Sequence, residues 1–273
     1  MRLLAISDLH LSDKENWRAL TRLSAFPQDW LIVAGDVAEK IRDFRQAIAL
    51  LSQRFAKIFW TPGNHDLWTI PSDSESKRGV AKYLQLVDIC REFGVHTPED
   101  PFVQWPGSDP PLFIAPTFTL YDYSFRPDAV PAEEALAWAE ASGVMATDEF
   151  LLHPDPYPSR QAWCAVRVRY TEERLVETAV APHQLILVNH YPLRYDLVHL
   201  WRIPRFSLWC GTKLTEDWHT RFPVQTVVYG HLHIRGTHLR DGVRFQEVSL
   251  GNTVNWQPER GIEPYLRQIW PPI

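Results

Sequence analysis

Cysteine is scarce in this chain, and the cysteines that are present are not spaced like disulfide partners or zinc ligands. Only three occur among 273 residues, at Cys90, Cys164 and Cys210. An odd number of widely spaced cysteines excludes a complete disulfide framework and does not fit a zinc ribbon. We therefore expect three buried, reduced thiols, as in a cytoplasmic protein.

Long apolar segments are also missing. No stretch reaches the roughly 18 consecutive apolar residues that mark a membrane-spanning helix, so we expect no membrane contact. The apolar run that follows Met1 is too short for a signal peptide and leads directly into charged side chains. Both absences favour a cytoplasmic location.

Positive charge is not in excess either. The chain has 28 Lys and Arg against 33 Asp and Glu, a net charge of −5. A negative protein has no general field that attracts a polyanion, so long nucleic acid is disfavoured as a partner. Hydrophobic residues make up 45% of the chain, and no repeat or linker divides it. This composition predicts a single domain over residues 1–273.

Short apolar runs, rich in Val and Ile, predict strands buried on both faces. Helical patterns lie between several of these runs, and one helix is predicted to open with a capping box made by Ser12 and Glu15. Alternating strands and helices predict an α/β fold, with long loops within about 95–160 and 191–222. The predicted strands are 3–6, 30–34, 58–60, 112–115, 185–188, 226–229 and 243–248, and the predicted helices are 12–23, 41–55, 77–93, 132–141 and 160–180.

Five short motifs rich in Asp, Asn and His follow predicted strands. In open α/β sheets, ligands collect beyond the carboxyl ends of the strands, so we expect these side chains to converge. Carboxylate, amide and imidazole groups are ligands for divalent Mn, Fe or Zn. Two such ions about 3.5–4 Å apart can stabilise both the attacking and the leaving oxygen of an in-line displacement at phosphorus. The motifs are Asp8-Leu9-His10, Gly35-Asp36, Gly63-Asn64-His65-Asp66, Asn189-His190 and Gly230-His231-Leu232-His233.

Each motif has a simpler explanation when taken alone. A lone Asp after a strand is commonly a cap for the next turn or helix, and a lone His is commonly a hydrogen-bonded core residue. However, Asp8 and His10 are two residues apart, which places both on one side of an extended chain, and His231 and His233 have the same spacing. Chance does not account for five such motifs at five strand ends.

His65 has a different expected role. It is adjacent to Asn64, so its side chain should point elsewhere and could protonate the oxygen that leaves phosphorus. An imidazole in that role needs a carboxylate to fix its orientation, and Glu39, one helical turn beyond Asp36, is our candidate. The alternative for Glu39 is an ordinary solvated helix residue.

The order D-x-H, G-D, G-N-H-D, H and G-H-x-H resembles that of the calcineurin-like metallophosphoesterases over residues 8–233. The resemblance implies a four-layer α-β-β-α sandwich of two mixed sheets and two bound divalent ions. It also implies that His65 acts on the leaving group and that Glu39, where Asp is more frequent, orients it. Implied ligands are Asp8, His10 and His233 for one ion, Asn64, His190 and His231 for the other, and Asp36 as the bridge.

A narrower resemblance concerns the substrate. Five stretches are similar to actinobacterial phosphopantetheinyl hydrolases, which remove 4′-phosphopantetheine from a serine of an acyl carrier protein. Holo-acyl carrier protein is therefore the implied substrate and partner. Nucleotides or other small phosphoesters remain an alternative, and a metal-stabilised scaffold or regulator without turnover is a second. The stretches are WLIVAGDVAE (30–39), YDYSF (121–125), ATDEFLL (146–152), FSLWCGT (206–212) and VYGHLHI (228–234).

A cluster of arginines lies in the second long loop. Arg194, Arg202 and Arg205 are opposed nearby by Asp196, so this loop could form a basic rim that binds phosphate or an acidic carrier protein. The alternative is an ordinary solvated surface.

Overall fold

The computed structural model describes residues 1–178 and 183–272. Within these ranges, the chain forms two mixed β-sheets. The first sheet has the strand order β10-β1-β2-β3, in which β1, β2 and β3 are parallel and β10 is antiparallel to β1. Its strands are β1 (Leu3–Ile6), β2 (Phe26–Val33), β3 (Phe55–Trp60) and β10 (Arg267–Trp270).

The second sheet is larger and has the order β4-β5-β6-β7-β9-β8. Its four central strands are parallel, while β4 and β8 are antiparallel strands at the two edges. Its strands are β4 (Val103–Gln104), β5 (Leu112–Pro116), β6 (Gln184–Val188), β7 (Val224–Tyr229), β8 (Gly236–Arg240) and β9 (Val243–Glu247).

The helices of the described residues connect these strands. In α2 the apolar positions recur at helical spacing, and Phe44, Ile48 and Leu51 are fully buried on that face. The helices are α1 (Lys14–Thr21), α2 (Ile41–Ser52), α3 (Asn64–Leu67), α4 (Val80–Glu92), α5 (Ala135–Glu140), α6 (Asp148–Leu151), α7 (Arg160–Thr178) and α8 (Trp218–Arg221).

Alternate residues of the strands face two different apolar clusters. Leu3 and Ala5 of β1 pack in a cluster that also contains Ile186 of β6 and Val228 of β7, so this cluster lies between the two sheets. Leu4 and its outward-facing neighbours pack instead with residues of the helices. Helix, sheet, sheet and helix are therefore stacked in that order, which confirms the predicted four-layer sandwich of mixed sheets.

Two local predictions were wrong. The N-cap of α1 is Asp13, whose carboxylate accepts hydrogen bonds from the backbone N–H groups of Glu15 and Asn16, so the predicted capping box does not form. The Ser12 hydroxyl donates instead to Glu39, 3.3 Å away. The predicted helix 41–55 was also too long, because α2 ends at Ser52 and Phe55 begins β3.

Three further expectations concern the cysteines, the predicted helix 160–180 and membrane-spanning segments. The three cysteines are free and buried, as predicted. The last residues of the predicted helix 160–180 lie outside the described residues, and α7 is described as far as Thr178. Among the described residues, no helix has both the length and the apolarity needed to cross a bilayer.

Candidate metal centre

Side chains from five strand ends meet at one edge of the sandwich. The first cluster joins Asp8 and His10, which follow β1, to His233, which follows β7. Nε2 of His233 lies 3.2 Å from Oδ1 of Asp8 and 3.0 Å from Nε2 of His10. Two imidazole nitrogens and a carboxylate oxygen thus lie close enough to share one cation.

The second cluster joins groups from both sheets. Nε2 of His190 lies 3.4 Å from Oδ2 of Asp36 and 3.3 Å from Oδ1 of Asn64. The same Asn64 oxygen lies 3.2 Å from Nδ1 of His231. Asp36 also approaches the first cluster, since its Oδ2 is 4.0 Å from Nε2 of His10. Its carboxylate therefore lies between the two clusters, where a bridging ligand is expected.

The backbone at these positions is unusual. Asp8, His10, Asp36, His231 and His233 all have positive φ angles, between 41° and 72°. Non-glycine residues seldom adopt this left-handed conformation, which costs about 1–3 kcal/mol at each position and concentrates at functional sites. The strained backbone therefore lowers the stability of the fold but directs these side chains toward the two clusters.

Two glycines permit the close approach of the strands. A Cβ atom on Gly63 would overlap the carboxylate of Asp36, and one on Gly230 would overlap Asp8 and Ser7. Gly63 has a φ of −97°, so glycine is needed there for space and not for backbone conformation. Any larger residue would displace a candidate ligand.

Asp66 joins two of the motifs below the site. Its buried carboxylate accepts hydrogen bonds from the backbone N–H groups of Asp36 at 3.0 Å, Val37 at 2.8 Å and Gly63 at 3.1 Å. Burial and the nearby charge of Asp36 raise the pKa of Asp66 to about 7, against the effect of these donors. The last residue of the G-N-H-D motif therefore fixes the loop that carries Asp36.

Backbone hydrogen bonding sets which nitrogen of His190 faces the cluster. Nδ1 of His190 lies 2.8 Å from the carbonyl oxygen of Ala34, so Nδ1–H donates there and Nε2 faces Asp36. Burial lowers the pKa of His190, but the carboxylates of Asp36 and Asp8 outweigh it and raise the pKa to about 10. A cation bound at Nε2 would displace this proton.

His65 is placed beside the clusters. Its Nδ1 lies 2.9 Å from Oε1 of Glu39, and its ring centroid lies 3.7 Å from that of Trp68. Burial lowers the pKa of His65, but the carboxylates of Asp36 and Glu39 outweigh it and hold the pKa above its usual value. One nitrogen of His65 is also near His10 and Asp36, so proximity alone permits a ligand role. The hydrogen bond to Glu39 favours the role predicted from the sequence.

Comparison with known proteins agrees with this geometry. The family model for calcineurin-like phosphoesterases matches residues 1–235. The chain belongs to this family. The chain is also 48% identical to the [acyl-carrier-protein] phosphodiesterase PptH of Mycobacterium tuberculosis, over 98% of this chain and 83% of that protein. The crystal structure of phosphopantetheinyl hydrolase (PptH) from the same organism superposes with a TM-score of 0.93, covering 99% of this chain and 96% of that one.

Membership confirms three predictions made from the motifs: the family, its fold and a phosphoric ester hydrolase. Calcineurin-like phosphoesterases use divalent metals, and the Asp and His clusters of this phosphoesterase suit such ions. The roles of individual residues stay predictions, although all seven predicted ligands are brought together.

The three predicted substrate-binding arginines lie in different surroundings. The guanidinium of Arg194 pairs with Asp196 at 2.8 Å and with Asp241 at 3.5 Å. Asp241 precedes β9, at the opposite end of the strands from the metal clusters. Arg205 stacks on Trp138, 4.8 Å from its ring centroid, and donates to its backbone carbonyl. Arg202 is exposed.

The segment that carries Arg202 and Arg205 reaches the metal clusters of the phosphoesterase. The Phe206 ring centroid lies 6.1 Å from that of His231, so this segment borders the site. Just before it, Trp201 is 92% exposed. Trp209 and Trp218, which share the same long loop, are fully buried and pack in the core.

Sequence reasoning missed one further residue at the site. Oδ1 of the buried Asp148 accepts hydrogen bonds from Nδ2 of Asn64 at 2.9 Å and from Nε1 of Trp68 at 2.7 Å. Asp148 follows no predicted strand and has no ligand-like spacing to another Asp or His. The available signal was its position in the ATDEFLL stretch at 146–152.

Proposed function

We propose that this chain is a dinuclear-metal phosphodiesterase that releases 4′-phosphopantetheine from holo-acyl carrier protein. The observation that carries this proposal is the 48% identity to an acyl-carrier-protein phosphodiesterase over 98% of this chain. The structural agreement is just as extensive, since the phosphopantetheinyl hydrolase structure covers 99% of the chain. A cytoplasmic location belongs to the same proposal.

The donor atoms of the site fit two divalent ions. Four imidazoles, two carboxylates and one amide oxygen suit Mn, Fe or Zn better than Mg or Ca, which prefer oxygen ligands. When bound, the ions would polarise the phosphodiester and stabilise the charge that develops at phosphorus. We assign Asp8, His10 and His233 to one ion, Asn64, His190 and His231 to the other, and Asp36 to both.

The chain's own acid would be His65. With Nδ1 held by Glu39, the opposite nitrogen, Nε2, can carry a proton toward the substrate. We assign it to donate this proton to the serine oxygen of the carrier protein when a water molecule attacks phosphorus and the bond between phosphorus and the serine oxygen breaks. Against the lowering effect of burial, the carboxylates of Asp36 and Glu39 hold the pKa of His65 above its usual value, which favours the protonated imidazole that an acid requires.

The protein part of the substrate would dock on the segment around Trp201 and Arg202. Both side chains are exposed in the segment that leads to Phe206, whose ring borders the site, and an apolar ring and a cation suit an acidic helix of a carrier protein. Arg205, stacked on Trp138, would support this segment. Arg194 stays a proposed substrate-binding residue, although Asp196 and Asp241 already engage its guanidinium and Asp241 lies at the end of the strands opposite the metal clusters.

Charge reversal tests the docking surface. Arg202→Glu should raise KM for holo-acyl carrier protein by about tenfold and leave the hydrolysis of bis-p-nitrophenyl phosphate unchanged. Arg169→Glu, on the exposed side of α7, is a matched control that should change neither. Equal effects of Arg202→Glu on both substrates would contradict docking at this surface.

Mass spectrometry tests the substrate assignment. The protein is loaded with Mn²⁺ and incubated with a holo-acyl carrier protein, and the intact mass of the carrier is measured. Loss of the whole prosthetic group, with release of 4′-phosphopantetheine, supports the proposal. Retention of the group together with hydrolysis of nucleotides or small diesters would support the alternative substrates. Inactivity on every phosphoester would support a scaffold.

A further inference from the structure

The stretch ATDEFLL connects the metal centre to a part of the fold that the motifs do not reach. Its Asp148 is the first residue of α6 and is almost fully buried. As described above, one carboxylate oxygen of Asp148 accepts from both Asn64 and Trp68. Asn64 precedes His65 and Trp68 follows it, so Asp148 holds the segment 64–68 on both sides of His65.

The contact with Asn64 decides how its amide is oriented. Because Nδ2 donates to Asp148, the other end of the amide, Oδ1, faces His190 and His231 at 3.3 and 3.2 Å. A rotated amide would place N–H donors where a cation needs an oxygen. The carboxylate therefore selects the orientation that can bind metal.

The contact with Trp68 acts on His65. The indole ring lies against the imidazole, with 3.7 Å between the centroids, and its Nε1–H is anchored by Asp148. The backbone carbonyl of Trp68 is held separately by the buried ammonium of Lys82. Trp68 thus forms a fixed surface against the imidazole of His65, the same ring whose Nδ1 is hydrogen-bonded to Glu39.

Helix α6 is itself held in place, which makes Asp148 a firm support. Arg160 donates to the backbone carbonyl of Asp148 at 2.8 Å and to the carboxylate of Glu149 at 2.8 Å. Glu149 also accepts from Tyr123 at 2.6 Å and Trp209 at 2.7 Å. These contacts join the stretches 121–125, 146–152 and 206–212 into one partly buried network that ends at Asp148.

We infer that Asp148 is a positioning residue that fixes both a metal ligand and the acid of the reaction. It orients the amide of Asn64 directly and the imidazole of His65 through Trp68. The inference rests on the roles proposed for Asn64 and His65 but not on the carrier-protein substrate. It assigns a purpose to a stretch that contributes neither a ligand nor an acid of its own.

Metal titration combined with kinetics on a small diester tests this role. In Asp148→Ala, the Kd for Mn²⁺ at the site assigned to Asn64 should rise about 10- to 100-fold, as for the loss of other supports of metal ligands. At saturating Mn²⁺, kcat on bis-p-nitrophenyl phosphate should still be lower by about tenfold. Trp68→Phe keeps the contact between Asp148 and Asn64, so it should lower kcat several-fold and leave Mn²⁺ affinity unchanged.

Tyr83→Phe is the control for destabilisation, because it removes a buried hydrogen bond to Glu99 away from the site. It should lower Tm without changing Mn²⁺ affinity or kcat. Wild-type Mn²⁺ affinity in Asp148→Ala, or a change no larger than that of the control, would overturn the inference. Should Asp148→Ala not fold, an unchanged kcat in Trp68→Phe would overturn it.

Asn64→Ala separates this inference from the roles on which it rests. Loss of Mn²⁺ in Asn64→Ala but not in Asp148→Ala would refute the positioning role alone. Retention of two tightly bound Mn²⁺ ions in Asn64→Ala would instead refute the assignment of Asn64 as a ligand.

Discussion

Nδ1 of His65 lies 2.9 Å from Oε1 of Glu39, so the imidazole is held by a carboxylate next to the metal clusters. His65 belongs to the G-N-H-D motif, whereas Glu39 lies three residues beyond Asp36, so only the fold brings the two together. The relationship divides the site into groups that would bind cations and a pair that would move a proton. The first two predictions test this division.

Replacing His65 should abolish turnover but not metal binding. His65→Ala is expected to retain two Mn²⁺ ions per chain and to lose about a hundredfold or more in kcat, because a general acid contributes that much. The readouts are metal content and the rate on bis-p-nitrophenyl phosphate. His238→Ala, on the edge strand β8, is the matched control and should change neither. Loss of an ion from His65→Ala would show that His65 is a ligand.

Replacing Glu39 should have a smaller effect of the same kind. Glu39→Gln keeps the shape of the side chain but loses the negative charge that orients His65 and stabilises its protonated form. We expect kcat to fall about tenfold with metal content unchanged, as for other residues that orient a functional imidazole. A variant with the wild-type kcat would identify Glu39 as an ordinary polar residue of the surface.

A methyl group on Gly63 should disrupt the metal centre. The added Cβ would overlap the carboxylate of Asp36, so Gly63→Ala should lose Mn²⁺ binding even where the chain still folds. Gly94→Ala is the control, since Gly94 has a φ of 69° and open space around its Cβ position. This control should lose about 1–2 kcal/mol of stability from backbone strain and keep both ions. Tight Mn²⁺ binding by Gly63→Ala would contradict the packing described for the site.

Lys82 should make stability depend on pH in the alkaline range. Burial lowers its pKa to about 8 in the folded protein, against the opposing charges of Asp66, Asp73 and Glu39. The unfolded chain, with a lysine pKa of about 10.4, binds the extra proton between these values. The free energy of unfolding should therefore rise with pH there, by up to about 1 kcal/mol per pH unit from this residue.

Lys82→Met removes this contribution. Urea unfolding of the metal-free proteins at about pH 7.5 and about pH 9.5 should show the stability of the wild type rising relative to the variant. A constant difference between the two proteins would mean that Lys82 keeps an ordinary pKa when folded.

Seven of the ten strands in the described residues and the seven candidate ligands could be predicted because their signals are local. Apolar runs predict strands, and a motif such as Asp8-Leu9-His10 shows its spacing directly. The support around the ligands could not be predicted in the same way. Asp148 meets Asn64 across 84 positions of sequence, and neither residue has a pattern that indicates the other.

Local rules also failed where two residues competed for one role. Ser12 and Asp13 can both cap α1, and the chain uses Asp13 because Ser12 instead bonds to Glu39, which lies in the segment between β2 and α2. The ion pairs of Arg194 could not be predicted either, because one partner is distant in sequence. Its partner Asp241 lies in the turn before β9, a strand whose neighbours only the fold defines.

Anomalous diffraction from crystals grown with manganese tests the central claim most directly. We expect two manganese peaks, one on each side of Asp36: the first beside His10 and His233 and the second beside His190 and His231. A single peak, or two peaks away from these side chains, would contradict it.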